Sequence, residues 1–210
     1  MHRKQYEDAI PFFSMVLALD ANHKTAHKNR GVCYYKTKEY DKALLDFQNA
    51  IVLAPKDPYN YHYIGHIYKN QMRCEEAIPY FTKTIEIDER YEHVLYKRGV
   101  CYYLLDEYEK ALADFRRAIE LDPKDARSYA FIGHTYLKEN RPDEAVKYYS
   151  RGLELEPKHK DALNGRGNAY LMAGQHREAL KDFLQVLEID PQDENANRNR
   201  AVASRALGEK

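Results

Sequence analysis

The chain has 210 residues, 44% hydrophobic and 31% charged, and its 33 Lys+Arg balance 33 Asp+Glu. That balance gives no whole-chain signal for a polyanion partner, and no apolar run nears the ~20 residues that a bilayer crossing needs. Three cysteines are too few for a disulfide framework and point to a reducing, cytoplasmic setting, while the N-terminus enters an amphipathic pattern at Tyr6 with no secretory leader before it.

In chain order, the first predicted element covers residues 6–19, where Ala9, Phe13 and Val16 fall at helical steps. Residues 1–21 thus read as the second helix of a partial unit whose first helix is absent. Ile10, Phe13, Val16 and Leu17 leave an apolar face uncovered there, as expected of a chain cut inside a larger array or of an edge that docks or self-associates. Residues 22–57 read as a helical hairpin. One helix carries Ala26, Arg30, Gly31, Cys33 and Tyr34, and a second, from Asp41, carries Ala43, Leu44, Phe47, Ala50 and Ile51 on one stripe. Small residues at Gly31 and Ala43 let the two helices cross closely beside Phe47. Pro55 closes the unit, and Asp57 is placed to cap the next helix.

The same unit recurs over 58–91, 92–125, 126–159 and 160–191, giving five full repeats. Alanine holds a 34-residue step (Ala9, Ala43, Ala77, Ala111, Ala145, Ala179), as do glycine (Gly31, Gly65, Gly99, Gly133, Gly167) and tyrosine (Tyr34, Tyr68, Tyr102, Tyr136, Tyr170). A fixed period of this length marks a solenoid, in which each unit packs on its neighbours. Residues 192–210 complete a single array as a capping helix, with Ala196, Ala201 and Leu207 expected inward and Asn195, Arg198 and Arg205 outward.

The pattern Gly31, Tyr34, Ala43, Phe47, Ala50, Pro55, repeated as Gly99, Tyr102, Ala111, Phe115, Ala118, Pro123, resembles the tetratricopeptide repeat family. The match covers nearly the whole chain. Departures are the lack of tryptophan, Glu89 at a proline position and Gly152 at a small core alanine. The resemblance implies an all-α, right-handed α-solenoid of about twelve helices, with the first helices of the hairpins lining a concave groove.

A longer period overlies the first. Arg30-Gly31-Val32-Cys33-Tyr34-Tyr35 returns 68 residues on as Arg98-Gly99-Val100-Cys101-Tyr102-Tyr103, and Arg166-Gly167 follows. Between them stand Ile64-Gly65-His66 and Ile132-Gly133-His134. Arginine-type units carry Asp46, Asp114 and Asp182 sixteen residues downstream, where the others carry Tyr80 and Tyr148. A charge facing the second helix is costly to bury alone, so pairs Arg30–Asp46, Arg98–Asp114 and Arg166–Asp182 are expected inside their repeats.

No phosphate loop, dinucleotide fingerprint or nucleophile elbow is present, and the carboxylates scatter as surface pairs, so no catalytic residue and no cofactor is assigned. His62 and His66, four apart on one helix, lack a third ligand nearby, and His134 lies two repeats away; no metal site is assigned. Cys33 and Cys101 read as core residues, and Cys74, at the start of a second helix, as nearer the surface.

Carried over from the resemblance, the groove-lining residues are Lys28 and Tyr35, then His62, Tyr63 and His66, then His93, Tyr96, Lys97 and Tyr103, then Arg127, Phe131 and His134. Cations dominate this face, which also includes Lys36, Lys69 and Lys138, and Tyr supplies contact area at low rotamer cost. The expected function is a non-catalytic scaffold or adaptor that binds an acidic or carboxylate-bearing peptide segment of a protein partner. The Lys–Asn–Asn–Lys–Arg clamp with which some family members hold Hsp70 or Hsp90 tails is not intact: its places hold Lys28, Val32, Tyr63, His93 and Lys97. The alternatives are a recruiting or regulatory arm of a larger enzyme, a single-strand nucleic-acid binder, which the neutral charge disfavours, and self-association through the N-terminal edge.

Overall fold

The computed structural model describes residues 2–91 and 93–208 and is all-α, with twelve helices and no strand among the described residues. It divides into two compact units, Met1–Leu105 and Asp106–Lys210. The first holds α1 (His2–Leu19), α2 (Lys24–Thr37), α3 (Tyr40–Leu53), α4 (Pro58–Asn70), α5 (Cys74–Ile87) and α6 (Val94–Leu104). The second holds α7 (Tyr108–Leu121), α8 (Ala126–Lys138), α9 (Pro142–Leu155), α10 (Lys160–Met172), α11 (His176–Ile189) and α12 (Glu194–Ala206). In each unit consecutive helices pack on one another.

Within each unit the hairpins form because a ring from the second helix fills the space that a glycine of the first helix leaves. A Cβ on Gly65 would lie 2.8 Å from Phe81, one on Gly133 2.8 Å from Tyr149, and one on Gly167 2.6 Å from Phe183. Phe47, Phe81, Phe115, Tyr149 and Phe183 are fully buried, as are Ala43, Ala77, Ala111, Ala145 and Ala179. Burying such a ring stabilises the fold by roughly 1.5–3 kcal/mol, which explains the strict period at these positions.

Each hairpin turn contains one residue in the left-handed conformation, again at the 34-residue step: Lys38 (φ 67°), Met72 (φ 61°), Asp106 (φ 58°), Asn140 (φ 58°) and Gly174 (φ 73°). The N–H that follows it returns to the carbonyl of the periodic tyrosine, from Glu39 to Tyr34 at 2.8 Å and from Arg73 to Tyr68 at 2.9 Å. Arg141 and Gln175 do the same to Tyr136 and Tyr170 at 2.9 and 2.8 Å. These bonds satisfy carbonyls that a helix end would leave bare. Gly208 (φ 74°) ends α12 in the same conformation.

The arginine pairs are present within each unit. Arg30 donates from Nε to Asp46 Oδ2 and from an Nη to Oδ1, both at 2.8 Å, and its other Nη reaches Ser14 Oγ at 3.1 Å. Arg166 holds Asp182 at 2.8 and 2.7 Å and Ser150 Oγ at 3.1 Å. Each guanidinium therefore joins its own hairpin to the preceding second helix through a two-pronged carboxylate bond plus a hydroxyl. Arg98 and Asp114 lie in different units; within the first, Arg98 donates to Thr82 Oγ1 at 3.0 Å. In the first unit His27 adds a contact, with Nδ1 2.9 Å from Asp46 and Nε2 3.0 Å from the Ala21 carbonyl.

Two expectations are corrected. Cys74 is buried, packed with Ala77, Phe81, Val94 and Cys101 in one core cluster, because the first residue of α5 faces α6. On α12, Ala203 is the buried partner of Ala196, whereas Ala201 is exposed. Seven residues are about two helical turns, so 196 and 203 share a face. Phe12, Met15 and Leu19 form an exposed apolar stripe on α1.

Candidate functional site

Nine of the expected binding residues lie in the first unit, on α2, α4 and α6 and at the start of α6. Tyr35 of α2 meets α4 edge-on at Tyr63, with ring centroids 5.2 Å apart. Its hydroxyl accepts from Asn70 Nδ2 at 3.2 Å and lies 3.3 Å from His66 Nδ1. The Tyr35 hydroxyl, already accepting from Asn70, bridges to His66 Nδ1 with either group able to donate. Tyr59 and Tyr63 stack at 4.7 Å, and Tyr63 also packs on Phe47 of the preceding hairpin at 5.3 Å. Lys28 lies 4.8 Å over the Tyr59 ring and 3.5 Å from Asp57.

His62 is placed beneath this face. It is 2% exposed, because Tyr91 closes over it with ring centroids 5.0 Å apart. The loop that carries Tyr91 is the one where Glu89 replaces the usual proline, and α6 starts at Val94, two residues later in register than α4. The same displacement leaves His93 outside the helix, exposed and left-handed at φ 56°. Lys97 Nζ sits 3.0 Å from His62 Nε2, so the ammonium donates into the imidazole lone pair and the ring proton is on Nδ1. Burial, then Lys97 and His66, push His62 down to about 3. Burial, then Lys97, Lys69 and Lys36, push His66 down to about 4. Both rings are therefore neutral donors and acceptors set among three ammonium groups. Tyr96 and Tyr103 are half-buried on α6. The ring centroids of His62 and His66 are 5.4 Å apart, but Lys97 occupies the lone pair that a metal would need, and no group of three ligating side chains is found among the described residues.

The other three residues lie in the second unit. Arg127 pairs with buried Asp125 at 3.2 Å. Phe131 packs on Phe115 at 5.4 Å and on His134 at 5.5 Å. His134 Nδ1 is 2.6 Å from the Tyr149 hydroxyl, and burial pushes the imidazole down to about 4 although Asp161 acts in the opposite direction. The sequence signal for this bond is a tyrosine where the other hairpins have Phe47, Phe81, Phe115 and Phe183, matched by Gly165, whose Cβ would lie 2.6 Å from the Tyr149 hydroxyl.

Comparison with known proteins places this architecture. Models of the tetratricopeptide repeat match residues 25–57, 59–91, 94–125 and 132–194. Tetratricopeptide repeat protein 6 of Homo sapiens is 35% identical over 72 residues, which cover 34% of this chain and 14% of that protein. Small glutamine-rich tetratricopeptide repeat-containing protein 2 of Mycosarcoma maydis is 27% identical over 100 residues, 48% of this chain and 28% of that protein. The chain thus spans a minor part of the length of these relatives. Among solved structures, YrrB, a tetratricopeptide protein with an unusual peptide-binding site, matches with a TM-score of 0.74 at 22% identity, over 90% of this chain and 97% of that one. That likeness is one of fold: a solenoid of helical hairpins. With repeat models matching from residue 25 to residue 194, the chain belongs to the tetratricopeptide repeat family, whose members bind protein and peptide partners.

Proposed function

We propose that the chain is a non-catalytic, cytoplasmic adaptor whose first unit binds an acidic or carboxylate-bearing peptide segment along the face of α2, α4 and α6. The observation that carries this reading is the convergence of Lys36, Lys69 and Lys97 on His66, a neutral imidazole bridged to the Tyr35 hydroxyl. A site of one sign beside low-dielectric ring walls draws an opposite charge. Tyr35, Tyr59 and Tyr63 supply those walls, with hydroxyls that orient a ligand. In the second unit Arg127 is held by Asp125, and the charge beside His134 is Asp161. An acidic segment is therefore assigned to the first unit.

The test is a peptide array of acidic sequences, each as a free acid and as a C-terminal amide, probed at low and high salt. Binding that weakens at high salt and falls about tenfold in Lys97→Ala is the expected result. Salt-indifferent binding of apolar peptides defeats the reading. The exposed stripe Phe12, Met15 and Leu19 favours a second reading, self-association through α1; a monomeric mass by light scattering across a concentration series removes it. A recruiting arm of a larger enzyme uses the same peptide-binding face.

A further inference from the structure

Helix α1 presents a face that its counterparts in register keep covered. Ala9 and Phe13 are half-buried, whereas Ala77 and Phe81 on α5, and Ala145 and Tyr149 on α9, are fully sealed. Beside them Phe12, Met15 and Leu19 are 70%, 66% and 91% exposed. The counterparts show what fills such a face. On α5, Phe81 lies against Gly65 of α4, and Tyr80, in the register of Phe12, stacks on Tyr68 with ring centroids 5.6 Å apart. On α9, Tyr149 lies against Gly133 of α8, and Tyr148 meets Tyr136 at 5.4 Å. A glycine, followed three residues on by an aromatic ring, is therefore what fits over Phe13 and Phe12.

Three features separate the fitting helix from an ordinary hairpin partner. The other second helices begin at Tyr40, Cys74, Tyr108, Pro142 and His176, the register of Tyr6, whereas α1 begins at His2. The place that Lys38, Met72, Asp106, Asn140 and Gly174 hold as left-handed turn residues is thus held by Lys4, inside α1. A helix seated on α1 is therefore not joined to it by the hairpin turn. Met15 widens the apolar face at a position where Lys83 and Arg151 lie in water. Charge sets the direction: Arg3 and exposed Lys4 mark one end of the face and exposed Asp20 the other. An antiparallel helix with acid at its C-terminal end and base at its N-terminal end complements both. The face is also continuous with the packing of α1 on α2. A second copy of the chain fits poorly. Its α12 holds Arg200, Ala201 and Ser204 where α4 holds Ile64, Gly65 and Tyr68, and its α1 has no glycine to seat Phe13.

We infer that α1 is a docking surface for a helix of a partner protein, glycine-centred and antiparallel to α1, with an aromatic ring three residues after the glycine and an acidic C-terminal end. The glycine lies over Phe13, the ring stacks on Phe12, apolar side chains cover Met15 and Leu19, and the acid meets Lys4. This is helix-on-helix recognition through an apolar stripe. It is separate from the face of α2, α4 and α6 and stands whether or not that face binds acidic peptides.

The experiment titrates a fluorescent peptide, Lys-Lys-Ala-Leu-Ala-Gln-Ile-Gly-Ala-Leu-Tyr-Gln-Glu-Glu-amide, with the full chain, reading anisotropy for binding and light scattering for mass. A second peptide has leucine for the glycine, and a third exchanges its lysine and glutamate pairs. The first peptide is expected to bind. Leucine in place of the glycine is expected to weaken binding about tenfold, since it meets the Phe13 ring. Phe12→Ser is expected to weaken it about tenfold through the lost ring contact, with the thermal midpoint unchanged because Phe12 is largely exposed. Leu19→Ser, at a still more exposed position, serves as the second variant. Exchanging the charged ends weakens binding at low salt and not at high salt. Lys97→Ala leaves binding unchanged. No binding, or binding indifferent both to the leucine and to Phe12→Ser and Leu19→Ser, overturns the inference. Binding lost in Lys97→Ala puts the peptide on the face of α2, α4 and α6 and overturns it too. A doubled mass that Phe12→Ser abolishes, with no peptide bound, gives the face to a second copy and overturns the partner helix.

Discussion

His66 and His134 stand 68 residues apart in the same short motif, Ile-Gly-His-x-Tyr, yet their surroundings differ chemically. His66 takes a hydroxyl from Tyr35 of the preceding hairpin and lies among Lys36, Lys69 and Lys97. His134 takes a hydroxyl from Tyr149 of its own hairpin and lies beside Asp161 and His159. Copying a motif has preserved the buried, neutral imidazole and not the charge around it. The repeat fixes what packs, and residues one helix face away decide what binds. The two units differ likewise in how their buried aspartates and their turns are satisfied, and each difference has a measurable consequence.

The largest concerns the aspartates. Asp46 faces both Arg30 and His27, whereas among the described contacts Asp182 rests on Arg166 alone. Their side chains are 2% and 5% exposed, so stripping the arginine leaves a carboxylate with little access to water. Arg166→Met is expected to destabilise the protein by about 4 kcal/mol, in the range for half of a broken buried pair. Arg30→Met is expected to cost about 2 kcal/mol, since His27 keeps one charge-assisted bond to Asp46. Equal losses in urea unfolding remove any role for His27.

Next is Gly165→Ala, whose Cβ would lie 2.5 Å from Tyr149 Cζ and 2.6 Å from its hydroxyl. At the corresponding places Tyr63 and Phe131 lie beside Phe47 and Phe115 without such crowding. Overpacking is expected to cost about 2 kcal/mol, and Tyr149→Phe in the same chain to recover only part, because the ring carbon still meets the methyl. Full recovery makes the hydroxyl the sole obstacle.

A smaller effect follows from protons. His62, His66 and His134 bind protons less readily when folded than the ordinary 6.5, at about 3, 4 and 4. As pH falls below 6.5 the unfolded chain takes up protons that the folded one refuses. The stability from these groups is thus complete above 6.5, lost progressively on the way down, and gone once pH is below each folded value. Each histidine contributes a slope of ~1.4 kcal/mol per pH unit inside its window. His134→Val, the residue at Val32 and Val100, removes one such share between pH 6 and 5 while leaving the Lys97 cluster untouched. An unchanged slope means that His134 is protonated in the fold.

How much of this was legible in the sequence depends on whether the side chain or the backbone carries the cause. Gly65 and Phe81 repeat because a ring fills a missing Cβ, and a reader of the period sees both. Arg30 and Asp46 repeat together for the same reason. Ser14, Thr82 and Ser150 keep that 68-residue step too, but small hydroxyls do not announce that an arginine reaches them. The burial of His62 was hidden because it depends on Tyr91, which packs against it from the loop before a helix start delayed to Val94.

The turns give the smallest effect and the one furthest from sequence logic. The left-handed residue is Asp106, Asn140 and Gly174 in the second unit, types that tolerate positive φ, but Lys38 and Met72 in the first. The conformation is imposed by bonds to the tyrosine carbonyls, not by the side chain, so residue type drifts while geometry does not. Met72 is exposed and its side chain contributes little packing to set against the strain. Met72→Gly is therefore expected to stabilise by about 0.5–1 kcal/mol, the relief of a β-carbon at positive φ less the entropy glycine adds to the unfolded chain. Asn140→Gly is expected to change stability by a few tenths of that. Thermal midpoints of the two variants, compared side by side, decide the point: equal gains mean that the strain belongs to the turn in general, and a gain at Met72 alone means that the first unit carries a cost the second has shed.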